Sequence, residues 1–444
     1  MLNAQKVIDE TGAAHVLTER LGAGGQGVVW LTKTGKRVVK LLPERSDAEA
    51  LRRHFTFVRR LDLAGLHVAK PIAVLRPPHV GYVAEFLGDM VPIKTLIDAP
   101  DTDLLRWHIE TGGLRRRLRL LAHTGEALAG LHSRGVVYSD LSHNNVFVSE
   151  PVGALEAWLI DLDNLNHESD PARAIYTRGY GAPEVVAGTH GCTTYSDAWA
   201  FAVLVWQMLT LTHPFVGDFV NEGPPELESE AFAGKVPWVR HSIEARNACS
   251  SGLPPDLVMG DQLVRLGRKT FEVGLDASSR AKRTDISTWV DRLHAAADQT
   301  VSCGECGATY FVTARTCPWC EAPAPSVARV RIARWEPGKG VVEGVVRQPQ
   351  LPLTTEGLLL PLRITLGHTG AAAREAHLEL TPVEKGISVR AMEGQEAWVA
   401  PAQRAHEEQY AVSTRRRIIP PEGWLLFFEK PDRPQRVAVF GRPS

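Results

Sequence analysis

The chain has 444 residues, 44% hydrophobic and 23% charged, with a formal net charge of −1. That length exceeds one ordinary core and predicts two or three soluble globular domains, and the near-neutral balance lacks the basic excess of a nucleic-acid binder. The first ten residues carry charges where a secretory signal needs an apolar core, and the longest apolar run, Ala198 to Leu211, is too short to cross a bilayer. Four of the six cysteines fall in two C-x-x-C pairs while Cys192 and Cys249 stand apart, which fits reduced thiols in a cytoplasmic protein.

Residues 17 to 42 read as strand, glycine turn, strand. Gly22-Ala23-Gly24-Gly25-Gln26-Gly27-Val28-Val29 fits G-x-G-x-x-G-x-V, and Arg37-Val38-Val39-Lys40 ends the following strand. Glycines at these positions let a backbone approach phosphates closely with its donors exposed. A plain Gly-rich hairpin or a Rossmann turn has the same letters, but a Rossmann helix would open at the last glycine, whereas Val28-Val29-Trp30-Leu31 is strand-like. Asp47 to Leu61 is helical and contains Glu49, and Gly81 to Leu87 is an apolar strand broken by Glu85 and followed by Gly88-Asp89.

From Leu114 to Arg134, the residues Leu114, Leu118, Leu121, Leu128 and Leu131 recur at helical spacing as one buried stripe. Arg115, Arg116, Arg117 and Arg119 lie between them and read as a solvated face, and Gly135 ends the helix. Next come Tyr138-Ser139-Asp140-Leu141-Ser142-His143-Asn144-Asn145 and an apolar strand, then Ile160-Asp161-Leu162-Asp163-Asn164. Taken singly, an Asp and an Asn in a polar loop are turn residues. Thr177 to Glu184 ends in Ala182-Pro183-Glu184, and Asp197 sits in the first turn of the long apolar helix, where it suits the helix dipole and could anchor the Asp140 loop. Arg280 or Arg283 is the candidate partner of Glu184.

In this order the glycine loop, Lys40, Asp140, Asn145, Asp161, Ala182-Pro183-Glu184 and Asp197 resemble the protein kinase family over roughly residues 10 to 297. The resemblance implies an α+β bilobal domain over residues 1–297, with an N-lobe at about 1–87 and a C-lobe at about 88–297 holding ATP between them. Gly22, Gly24 and Gly27 would cover the phosphates. Val29, Val38, Glu85, Leu87 and Phe147 would line the adenine site. Lys40 would pair with the α and β phosphates, Asn145 and Asp161 would hold Mg²⁺, and Asp140 would be the catalytic base.

The acid that holds Lys40 in this family stands on the next helix; here Glu49 or Glu44 serves, or the ion pair is absent, since spacing from Leu61 sets that position nearer His54. Tyr138-Ser139 replaces the usual His-Arg, so the arginine that receives an activation-loop phosphate is missing. Ser142 replaces a Lys at the γ-phosphate, Phe147 an aliphatic residue, and Leu162-Asp163 the Phe-Gly after the metal-binding Asp. The expectation is a slow but active Ser/Thr-type protein kinase. An ATP-binding pseudokinase scaffold is the alternative, and a nucleic-acid-linked regulator using the cysteine pairs is the third reading.

Cys303-Gly304-Glu305-Cys306 and Cys317-Pro318-Trp319-Cys320 have the spacing of two knuckles on one tetrahedral Zn²⁺, a structural zinc ribbon over residues 300–322. A redox dithiol at Cys317 and Cys320 would open a helix, and Pro323 and Pro325 oppose one. Residues 327–444 are short β-rich runs between Gly and Pro turns, the cadence of a β-sandwich or barrel, with Arg415-Arg416-Arg417 as an exposed strand edge. Without a catalytic constellation, this domain is expected to bind a partner or substrate. The Tyr138 to Ser142 and Ile160 to Asn164 segments, with the zinc ribbon and β tail, resemble bacterial kinases of tellurite-resistance-associated triads. That resemblance implies a von Willebrand-type protein and a phosphatase as partners, while the short apolar runs and the neutral charge speak against a membrane and nucleic acid.

Overall fold

The structure is a computed structural model that describes residues 5–24, 27–43, 47–169, 174–342 and 350–441. The chain divides into two compact units, Met1–Ala99 with Leu120–Pro255 and Asp261–Val290, and Pro100–Arg119 with Asp256–Gly260 and Asp291–Ser444. The two units interleave along the chain.

The first unit begins with an antiparallel sheet of β1 (Lys6–Ile8), β2 (Ala14–Gly24), β3 (Gly27–Thr32), β4 (Arg37–Leu41), β5 (Ala73–Val74) and β6 (Gly81–Glu85), in the order β1-β2-β3-β4-β6-β5. Alternation along the strands sorts the residues: Val39, Ala73, Leu75 and Val83 pack with Val7 and Leu17 on one face. On the other, Val38, Val74, Tyr82 and Ala84 meet Phe55 of helix α1 (Ala48–Arg60). Short antiparallel pairs carry the loops that follow: β7 (Met90–Pro92) and β10 (Ala157–Leu159) flank β9 (Val146–Ser149), and β8 (Val136–Val137) pairs with β11 (Asn166–His167). The helix Thr194–Thr210 is apolar nearly all round and accordingly buried, its start capped where Thr193 N donates to Ser196 Oγ at 2.8 Å. Trp199 stacks on Phe215 at 5.3 Å, and Trp206 meets Trp238 edge-on at the same distance.

In the second unit, α2 (Leu104–Glu110) and the first turns of α3 (Gly113–His132) belong with the hairpin β12 (Thr300–Ser302) and β13 (Thr309–Phe311). Arg115 Nε donates to Thr300 Oγ1 at 2.7 Å and Arg115 N to Thr309 Oγ1 at 3.0 Å. Arg116 and Arg117 are 6% and 1% exposed, and Arg117 stacks over Trp107 at 4.8 Å. This overturns the solvated-face reading of the arginine run. The leucine stripe is buried as expected, but periodicity registers only the apolar face of a helix and not a second face buried through hydrogen bonds and ring stacking.

The tail is a sandwich of two antiparallel sheets. The larger holds β14 (Ala328–Glu336), β15 (Gly340–Val342), β16 (Leu351–Leu353), β20 (Ala397–Pro401), β21 (Tyr410–Val412), β23 (Trp424–Phe427) and β24 (Gln435–Gly441). The smaller runs β17 (Leu358–Pro361), β18 (Ala376–Val383), β19 (Gly386–Ala391), β22 (Arg417–Ile419). Val330, Ile332, Leu426 and Ala438 from the first share one core with Leu378, Leu380 and Val389 from the second. Arg415 to Arg417 are exposed, and Arg417 opens the edge strand β22. No helix among the described residues is long and apolar enough to cross a membrane.

Candidate active site and candidate metal centre

Lys40 reaches its site through strand register. Opposite it stand Val29 on β3 and Tyr82 on β6, while Val38 faces Ala84, so Val38, Lys40, Tyr82 and Ala84 share the α1 face. Gly22 and Gly24 lie on β2 and Gly27 opens β3; Gly25 and Gln26 lie outside the described residues. Gly27 has φ +143°, and a Cβ there would meet Leu41 O at 2.4 Å, so no other residue fits. Glu85 is exposed at the end of β6, Leu87 is half-buried just beyond, and Phe147 sits on β9 opposite Trp158.

The Lys40 ammonium is ion-paired with Asp161, and with Asp163 at 2.5 Å. The three side chains are 8%, 23% and 8% exposed. Burial disfavours the lysine's charge, but the adjoining carboxylates of Asp163 and Asp161 outweigh it and hold its pKa above the ordinary value. For Asp163, burial and then the charge of Asp161 push the carboxyl up to about 6, against the pull of Lys40. Asp161 sits at φ +57°, a left-handed conformation that Asp tolerates better than most residues, at the head of the 3₁₀ turn Leu162–Asn164.

Glu49 does not reach Lys40. Its side chain is 85% exposed and pairs with Arg53 at 2.9 Å, while Glu44 lies outside the described residues. On that helix His54 has its pKa lowered by burial, against a hydrogen bond that its ring donates to the Asp163 backbone carbonyl. Sequence reasoning missed Asp163 because it stands where the family has glycine. The available signal was a second acid two residues after the first.

Asp140 is buried, and its carboxylate accepts from Thr177 Oγ1 at 2.8 Å. Burial first, then the charge of Asp161, raise its pKa, with Thr177 opposing. Asn145 Nδ2 donates to the Asp140 carbonyl at 2.8 Å. Asp197 holds the loop from beneath, accepting from Tyr138 N at 2.7 Å and Ser139 N at 2.9 Å, with His132 Nε2 at 2.9 Å. These bonds fix Ser139 at φ +74°. The Tyr138 hydroxyl donates to the carbonyl of Ile160 and lies 3.3 Å from that of Asn145, while Ile160 N donates to Asn145 O at 3.0 Å. The loop of Asp140 and Asn145 is thereby tied to the strand that delivers Asp161. Glu184 forms a bidentate pair with Arg283, both bonds 2.7 Å, and Arg280 instead donates to Ala277 O.

The donor set suits Mg²⁺. Asn145 spends its amide N–H on Asp140, leaving its oxygen as an acceptor, and Asp161 adds a carboxylate; hard oxygen donors in small number are what Mg²⁺ takes alongside phosphate.

In the second unit the four cysteine sulfurs of Cys303, Cys306, Cys317 and Cys320 lie within 4.8 Å of one another. Cys303 and Cys320 are 3.6 Å apart and Cys306 and Cys317 3.7 Å. Sulfurs at about 2.3 Å from a tetrahedral Zn²⁺ stand about 3.8 Å apart, far beyond a disulfide's roughly 2.05 Å. The two knuckles have one backbone plan: Cys303 N donates to Ala308 O and Cys317 N to Ala322 O, both at 2.8 Å. Gly307 (φ +77°) and Glu321 (φ +62°) occupy the same left-handed position after the second cysteine of each. No helix opens at Cys317, so the geometry fits a zinc site better than a redox dithiol.

Residues 16–231 match the protein kinase domain model. The chain is 28% identical over 233 residues to the serine/threonine-protein kinase PkaA of Streptomyces coelicolor, covering 46% of this chain and 40% of that one. It is 29% identical over 210 residues to the serine/threonine-protein kinase pkn2 of Myxococcus xanthus, covering 44% and 24%. Human ribosomal protein S6 kinase alpha-3 is 38% identical over 98 residues, 22% of this chain and 13% of that one. The matches thus span well under half the length of each of these relatives.

Proposed function

We propose, on the premise that this chain carries a protein kinase domain over residues 16–231, that it transfers phosphate from Mg-ATP to serine or threonine of itself or of a protein partner. The observation that carries this reading is the ion pair between Lys40 and Asp161, residues 121 apart in sequence. When bound, Mg-ATP supplies the γ-phosphoryl group and the cation that offsets its charge. Asn145 and Asp161 would hold the metal, and Lys40 the phosphates beneath the glycine hairpin. Asp140, oriented by Thr177, is positioned to accept the proton of the incoming hydroxyl, and its raised pKa makes it a better base. The four cysteines would hold one structural Zn²⁺ that fixes both knuckles. The zinc ribbon and β-sandwich would recruit the partner, for which a von Willebrand-type protein or a phosphatase is the candidate. The cytoplasm is the proposed location, since none of the chain's six cysteines is paired in a disulfide.

The test is transfer from γ-labelled ATP. Asp140→Asn is expected to lower labelling by about 10²–10⁴-fold while Mg-ATP still raises the melting temperature. Undiminished labelling in that variant would overturn the assignment of the base. A nucleotide-binding scaffold is the second reading, favoured by Ser142, whose buried hydroxyl brings no positive charge to the transferring group. Stabilisation by Mg-ATP with no transfer to any protein would select it.

A further inference from the structure

Two carboxylates share the Lys40 ammonium, yet the proposed function assigns one of them to a metal. Asp161 is the more open of the two, its side chain 23% exposed, and an oxygen that ligates Mg²⁺ gives most of its field to a dication. Asp163 is 8% exposed and lies 2.5 Å from the ammonium on the α1 face, beside Tyr82. The helix offers no substitute, because Glu49 points to solvent and His54 meets the backbone of Asp163. A buried ammonium left without a counterion is costly and would swing away from the site.

We infer that Asp163 is the resident counterion of Lys40, a positioning residue that keeps the ammonium aimed at the phosphates when Asp161 turns to the metal. This rests on the reading of the site under Proposed function. Because only Leu162 separates the two acids and both lie on one 3₁₀ turn, the metal ligand and the lysine anchor are set by a single piece of backbone. The orientation of Lys40 then needs no acid from α1, and a shift of that helix does not uncouple it.

The experiment is a double-mutant cycle on the full-length chain, read as Mg-ADP affinity by calorimetry. Asp163→Asn, nearly isosteric, is expected to weaken binding by at least about tenfold. In a Lys40→Met background the same change should alter affinity by less than about twofold, because the group it acts through is gone. Asp163→Glu should recover part of the loss, and Glu49→Gln should bind like the unaltered chain. Equal loss in both Lys40 backgrounds, or no loss in either, overturns the inference. So does a tenfold loss in Glu49→Gln. Should Asp163→Asn fail to fold, Asp163→Ser is read by the same criteria.

The two claims fail separately. Intact affinity in Asp163→Asn, together with transfer that Asp140→Asn abolishes, sinks the counterion and leaves the kinase reading. The expected cycle with no transfer from the unaltered chain does the reverse. A chain that binds no Mg-ADP refutes both.

Discussion

The bidentate pair of Glu184 and Arg283 offers a sharp energetic test. Both side chains are essentially unexposed, at 1% and 0%, and the guanidinium also donates to Gly274 O at 2.8 Å and Tyr195 O at 3.2 Å while lying 5.0 Å over the Trp199 ring. Glu184→Ala removes both carboxylate acceptors and strands a cation that cannot lose its proton. Breaking a buried pair from one side costs about 3–5 kcal/mol. At about 2–4 °C per kcal/mol for a domain of this order of size, the first unit should melt about 6–20 °C lower. Replacing both partners by apolar residues, Glu184→Leu with Arg283→Met, should recover most of the loss, since no charge is left buried.

Acid should act as the single substitution does. Burial raises the Glu184 carboxyl's pKa, but the hydrogen bonds and charge of Arg283 outweigh it and hold it below the ordinary value. Its contribution is therefore full above the unfolded carboxylate's pKa of about 4.3 and is lost as pH falls through the lower folded value. Thermal and urea unfolding at pH 7.5, followed by tryptophan fluorescence, reads these differences. A Glu184→Ala loss below about 1 kcal/mol, or a double variant no better than the single one, would refute the reasoning.

Other outcomes follow from the same geometry. His213 donates from Nε2 to Gly179 O at 2.9 Å and accepts at Nδ1 from Phe215 N at 3.1 Å, so it is neutral, and burial holds its pKa down to about 4. The unfolded chain takes that proton first, so stability is full above about pH 6.5 and declines toward pH 4, by no more than about 3 kcal/mol; His213→Gln should flatten this part of the urea-midpoint profile. Asp197→Ala leaves the amides of Tyr138 and Ser139 unpaired at about 1–3 kcal/mol each, and should lower phosphate transfer more than tenfold; transfer at the unaltered rate would contradict the anchoring role. Metal analysis should find one zinc per chain, absent in Cys317→Ser, and a chelator should lower the second unit's melting temperature.

Much of this site was legible in the chain because motif spacing is backbone geometry. Lys40 at a strand end, Asp140 and Asn145 on one loop, and Asp161 after a strand are all local arrangements, and Asp197 at the start of an apolar helix was correctly linked to the Asp140 loop. Choices between side chains were not local. Arg283 rather than Arg280 meets Glu184 because of the 3₁₀ segment Ala277–Lys282, whose exact course no periodicity announces. The family pattern points to an acid on α1 beside Lys40, whereas the turn that carries Asp163 supplies one. The Tyr138 hydroxyl likewise makes a tie between two carbonyls that its one-letter code does not advertise.

The interleaved division of the chain has a consequence for how the protein is made. Pro100–Arg119 leaves the ribosome long before Asp291–Ser444, yet Arg115 finds Thr300 and Thr309 only in that later stretch. Until that stretch is made, Arg115 lacks those partners, and a nascent polypeptide halted at residue 297 would leave its guanidinium to water. Removing the residues after 297 should therefore wound a helix that begins almost two hundred positions upstream.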